Sequence, residues 1–146
     1  MRVVFKHNPL GFHNRAMPAA NASECAGEQG KFWEMHDKIF ENNRALEDAN
    51  LEANAQAIGL DVGRWKKCYT ANKFQAKIQN DQRTAVSLGA RGTPAFFING
   101  RFLSGAQPLP AFQALVDEEL KKAKASGMSK SDYYAKAIVG KGEKKL

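Results

Sequence analysis

The stretch that decides the reading is 92-GTPAFFINGRFLSGAQP-108. Ala95-Phe96-Phe97-Ile98 is a short run of β-formers, and Asn99-Gly100 is the strongest two-residue hairpin signal a sequence offers. Arg101-Phe102-Leu103-Ser104 then supplies the returning strand. Thr93-Pro94 stands just before the hairpin, and proline is the one residue before which a cis peptide bond costs little. Beyond it, Pro108 and Pro110 stand where a helix can begin, and 110–125 carries Phe112, Leu115, Val116 and Leu120 on one face. Gly127 closes that helix, and 129–140 reads as a last amphipathic one before a charged tail, 141–146.

Upstream of the hairpin the pattern is helical. Residues 15–29 are Ala-rich, with Asn14 as a candidate cap and Gly27 and Gly30 as a break. In 31–42, Phe32, Met35, His36, Ile39 and Phe40 follow the spacing of one helical face. A turn and a helix ending on Gly59 come next, then 62–71, capped by Asp61, with Trp65, Cys68 and Tyr69 on a common side. Another helix, 73–88, starts at Thr70 or Asn72, packs through Phe74, Ile78, Ala85 and Leu88, and stops at Gly89. At the other end, 2-RVVFKHNP-9 reads as one strand that ends at its proline. Strand, helical block, hairpin, helix is an α/β order, here with most of the mass in helices.

Bulk properties set limits. The 146 residues suit one globular domain, with 43% hydrophobic and 25% charged residues. No apolar run approaches the length of a membrane span. The net charge of +7 is concentrated: residues 121–146 hold eight lysines against Asp132 and Glu143, leaving the first 120 residues nearly neutral. That tail has no arginine and only Tyr133 and Tyr134 for stacking, which favours a solvated lysine tail over a nucleic-acid or anionic-surface arm. The start of the chain shows no apolar signal segment, and the chain as written is expected in the cytoplasm.

Candidate chemistry is sparse. Cys25 and Cys68 form no CxxC and belong to no zinc-like cluster. Both fall on or near the less polar faces of helices, so they read as buried structural cysteines, either free or bridged, rather than as reactive thiols in an electropositive setting. His7 and His13 flank a Pro/Gly loop, and His36 lies in an apolar stripe beside Glu34 and Asp37. None has metal-ligand or triad spacing. No metal and no cofactor is expected. Phe32, Trp33, Phe40, Phe74, Phe96, Phe97, Phe102 and Phe112 are spaced as core residues, with Phe96 and Phe97 on opposite faces of the sheet.

The blocks 3-VVFKHNPLGFH-13, 26-AGEQGKFWEMHDKIFEN-42, 58-IGLD-61 and 91-RGTPAFFINGRFLSGAQP-108, in this order, resemble the DsbA-type thiol–disulfide oxidoreductases. The resemblance runs from Arg2 to about Glu119. It implies a thioredoxin-like domain over 1–125, with a small mixed sheet, a helical insertion at about 14–89, and C-terminal helices. Residues 126–146 would then form a terminal helix and a Lys-rich tail. It implies a cis Thr93-Pro94 bond and an extended peptide or protein bound along Arg91, Gly92, Thr93 and Pro94. It also implies that Cys25 and Cys68 form a structural pair, and that full-length relatives work mostly outside the cytoplasm. The family's redox pair is a CxxC at the start of a helix, preceded by a strand. These 146 residues contain no such motif, so no catalytic residue is assignable, with Cys25 and Cys68 the only candidates. The expected function is therefore a truncated family member that is inactive or altered as an oxidoreductase, with peptide binding at the cis-proline face as the alternative. Without the strand that normally lies between 2–7 and 95–98, either those two pair directly or a homodimer or higher oligomer covers their edges.

Overall fold

A computed structural model describes residues 2–141, so Lys144 and Lys145 of the lysine tail lie outside the described residues. The chain divides into two compact units, Met1–Ala85 and Val86–Leu146.

The first unit is a helical bundle around α1 (Ala16–Gly27), with α2 (Phe32–Glu41), α3 (Asp48–Ala57), α4 (Val62–Thr70) and most of α5 (Gln75–Ser87). α1 is buried over Ala19 to Ser23, Cys25 and Ala26. Its small side chains let α2, α3 and α4 pack around it. The core holds Ala22, Cys25, Ala26, Met35, Leu51, Ala55, Leu60, Trp65 and Cys68. Trp65 is 1% exposed, and its indole N–H donates to the Ala22 carbonyl at 3.1 Å, so the largest side chain in the core leaves no polar atom unsatisfied. The stop at Gly59 is as read from the sequence: it sits at φ +71°, where a side chain would be strained. Asp61 caps α4, its carboxylate accepting from the Arg64 amide at 2.9 Å.

Two local expectations are corrected. Asn14 does not cap α1; turns over 10–16 pass the cap position to Arg15, whose guanidinium instead reaches the Leu46 carbonyl and Asp48. Residues 2–9 are extended but form no strand. A strand exists only with a partner ladder, and the described sheet consists of two strands alone.

The second unit carries β1 (Ala95–Ile98) and β2 (Arg101–Ser104), then α6 (Leu109–Ala125) and α7 (Lys130–Tyr133), which continues as a π-helical turn, Tyr134–Val139. The small mixed sheet of the sequence reading is thus a single antiparallel ladder, with Ala95 opposite Ser104 and Ile98 opposite Arg101. Asn99 and Gly100 both have positive φ, +49° and +86°. That is the turn whose twist matches a two-residue hairpin. Phe96 packs edge-on against Phe112 of α6 at 4.8 Å, and Phe97 meets Phe102 across the ladder at 5.1 Å. Arg101 pairs with Glu118, and Asn99 and Lys122 reach Glu119.

The expected aromatic core is only partly realised. Phe32, Phe74 and Phe112 are half-buried, whereas Trp33, Phe40, Phe96, Phe97 and Phe102 are exposed. Helical and strand spacing decide which face of its element each ring lies on, but they supply no layer to cover that face.

Candidate functional site

The loop Arg91–Pro94 is exposed throughout and leads directly into β1. The Thr93-Pro94 bond is cis. The Arg91 amide closes a turn onto the Gly89 carbonyl, and the Pro94 carbonyl accepts from the Gly105 amide at 2.9 Å, which fixes the loop to the end of β2. Among the described residues, the backbones of Gly92 and Thr93 make no hydrogen bond, and the Arg91 guanidinium has no acidic partner. The four residues the sequence singled out are therefore brought together as an open stretch of backbone donors and acceptors, with a free cation beside it.

Cys25 and Cys68 are bonded to each other, α1 to α4, with their Cα atoms 5.8 Å apart. Cys25 is 1% and Cys68 6% exposed. The setting differs from the sequence reading in one respect. Cys68 lines a surface cavity of about 310 Å³ together with Glu28, Arg64, Lys67, Ala71 and Lys73. Three cations around one cysteine were not foreseen, although Arg64 and Cys68 are four apart on a helix and so are surface neighbours.

A second polar centre escaped the sequence altogether. Glu24 of α1 and Asp81 of α5 meet His7 and two lysines. Lys6 reaches Asp81 at 2.7 Å, Lys77 reaches Glu24 at 2.6 Å and Asp81 at 3.3 Å, and His7 Nε2 lies 2.9 Å from Glu24. Burial disfavours both carboxylate charges, yet the hydrogen bonds outweigh it. His7 and Lys77 hold Glu24 below its ordinary value, and Lys6 with Lys77 does the same for Asp81. Ligand atoms of His7, Glu24 and Asp81 lie within 4.8 Å of one another. A metal ion there would have to displace two ammonium groups already seated on the carboxylates, so the cluster is an ionic knot pinning residues 6–7 to α1 and α5. Only Lys6 and His7, inside an apparent strand, and Asp81, on an otherwise polar stretch of α5, could have signalled it. His36 lies among Phe5, Trp33 and Phe40 and hydrogen-bonds Asp37; His13 packs on Phe12. Neither joins a site. Partial burial beside Trp65 and a hydrogen bond donated to Asp48 push the Tyr69 phenol up to about 12, so it is no base at neutral pH.

The family described as DSBA-like thioredoxin domain matches residues 2–117. Among curated proteins, the chain is 37% identical over 117 residues to Na(+)/H(+) antiporter NhaA 1 of Salinispora arenicola, which covers 80% of this chain and 18% of that protein. It is 35% identical over 117 residues to Na(+)/H(+) antiporter NhaA of Herminiimonas arsenicoxydans, with the same coverage. To Na(+)/H(+) antiporter NhaA 1 of Mycobacterium sp. strain KMS it is 37% identical over 101 residues, 67% of this chain and 16% of that protein. The chain thus spans less than a fifth of the curated relatives it matches. Among the described residues, no helix is long and apolar enough to cross a membrane.

Proposed function

The chain belongs to the DSBA-like thioredoxin domain family, and from that premise we propose that these residues serve as the peptide-docking part of a thiol–disulfide oxidoreductase domain. The observation that carries the reading is the open backbone of Gly92 and Thr93 beside the cis Thr93-Pro94 bond. An extended peptide laid along this segment gains main-chain hydrogen bonds without displacing any existing ones, as in β-strand addition. Arg91 adds a preference for a carboxylate near the peptide's contact point. Electron transfer through a CxxC is not assigned, because the 146 residues contain none. The ion transport named for the curated relatives is not carried over either, since the match is confined to a small part of them. The Cys25–Cys68 bond supports work in an oxidising compartment, where disulfides persist.

Titration with a permanently unfolded, cysteine-alkylated protein, followed by amide NMR, tests the docking. The Gly92 and Thr93 amide signals should move and saturate together, along with that of Ala95. Saturable shifts confined to other residues, or no shifts at all, would overturn the reading.

A further inference from the structure

We propose that the cavity over Cys68 binds a small anionic thiol, one carrying carboxylates, and directs it onto the Cys25–Cys68 disulfide. This site is separate from the cis-proline loop and does not depend on the docking proposed there.

Arg64, Lys67 and Lys73 line the cavity against one acid, Glu28. Lys73 is neutralised by Glu28. Arg64 and Lys67 have exposed side chains with no ion pair among the described residues. Two uncompensated cations therefore stand at the rim. Gathered at one cavity, these two cations favour an anionic ligand over a neutral one. The volume, about 310 Å³, is at the lower end of the roughly 300–1,000 Å³ that small-molecule sites occupy.

The position of the sulfurs sets the chemistry. Cys68 lines the cavity, whereas Cys25 is 1% exposed on the buried side of α1. Of the two bonded cysteines Cys68 alone lines the cavity, so the proposed attack falls on its sulfur. The entering thiolate forms a new S–S bond there, and the electron pair of the old bond goes to Cys25 Sγ, which takes a proton from solvent. The products are a mixed disulfide on Cys68 and a thiol at Cys25; one thiol is consumed and no other oxidant or reductant is required. The released thiol has an acceptor waiting, since Asn21 Oδ1 lies 3.9 Å from Cys25 Sγ. Asn21 is itself fixed, donating to the Tyr69 carbonyl at 2.9 Å. The cations favour the thiolate form of the incoming group and offset the negative charge spread over three sulfurs during exchange.

The test uses the full chain, exposed separately to glutathione, which carries two carboxylates, and to neutral 2-mercaptoethanol, with rates compared per thiolate. Acid quenching, alkylation and peptide mass mapping then locate the adduct. At low ionic strength glutathione should react about tenfold faster than the neutral thiol, the size expected from two exposed charge pairs. The advantage should shrink toward unity at ~1 M salt, where screening reaches ~3 Å. An Arg64→Gln, Lys67→Gln double variant should lose the advantage and keep its rate with the neutral thiol; both residues are exposed, so the fold is unaffected. The adduct should lie on the peptide holding Cys68. Adducts on Cys25, an anion preference that survives the double variant, or resistance of the disulfide to both thiols would each overturn the proposal.

Discussion

The two units of this chain use the same kinds of residue to opposite effect. In the first, Trp65, Met35, Leu51 and Ile78 are essentially fully buried, a disulfide joins α1 to α4, and an ionic knot ties residues 6–7 to α1 and α5. In the second, Phe96, Phe97 and Phe102 line a well-formed hairpin yet stay 37–46% exposed, and only Ala90 and Glu119 are buried among its described residues. The hairpin is held by its Asn-Gly turn, its ladder and the Phe97–Phe102 pair, with Phe112, Glu118 and Glu119 of the next helix touching it from one side. The bundle is held by contacts far apart in sequence. Local signals therefore make an element, and long-range burial gives it most of its stability.

The largest effect is expected of Trp65→Ala. It removes the largest core side chain and, with it, the indole donor to the Ala22 carbonyl, and should cost about 3–5 kcal/mol. Urea denaturation gives the total, and amide hydrogen exchange shows where protection is lost. Exchange should quicken throughout α1 and α4. A cost below ~1 kcal/mol would mean that this core is not what holds the first unit together.

What the sequence made legible divides along the same line. The helices and the hairpin lay within a residue or two of expectation, because caps such as Asp61, stops such as Gly59 and the Asn99-Gly100 turn act within a few residues. The cis Thr93-Pro94 bond was legible only through family resemblance. The extended segment 2–9 reads as a strand in the sequence because β-propensity describes side chains suited to a ladder and says nothing about whether a partner strand is present. Asp81 was invisible for a similar reason: its burial depends on Lys6 and His7, more than seventy residues away. The cations around Cys68 were in plain view as Arg64 and Lys67, but only the fold brings Glu28 and Lys73 to the same cavity.

The ionic knot gives an intermediate effect with a defined sign. Asp81 and Glu24 are held below their ordinary values in the folded chain, so the native state binds fewer protons than the unfolded state. Their stabilisation is complete above the unfolded carboxylate value, near pH 4, and is lost as pH falls through the lowered folded values. Lys6 and Lys77 are half exposed, which limits the share of Asp81 to about 1–2 kcal/mol after solvent screening. Urea midpoints between pH 7 and pH 2 should fall for the natural chain and fall less for Asp81→Asn, which starts lower at pH 7. Parallel pH profiles for the two proteins would remove the knot from any account of why the first unit is the firmer one.

The smallest expected effect is the most informative about the second unit. Phe97 is 41% exposed, and its ring meets that of Phe102, itself 46% exposed. A half-wet cross-strand pair contributes about 0.2–1 kcal/mol, so Phe97→Ala should lower stability by less than ~1 kcal/mol, read as a slight quickening of exchange at the hairpin amides. Alanine keeps the backbone ladder, and the Asn99-Gly100 turn does not depend on the ring. A loss of several kcal/mol, comparable with Trp65→Ala, would contradict this directly: the ring would then be desolvated in solution by something that packs on it. Repeating the measurement across a hundredfold range of protein concentration separates the two possible sources. A cost that grows with concentration means that another copy of the chain covers the face, as an oligomer would, because mass action makes the stability of an associated state depend on concentration. A cost that stays constant excludes self-association as the source of the cover.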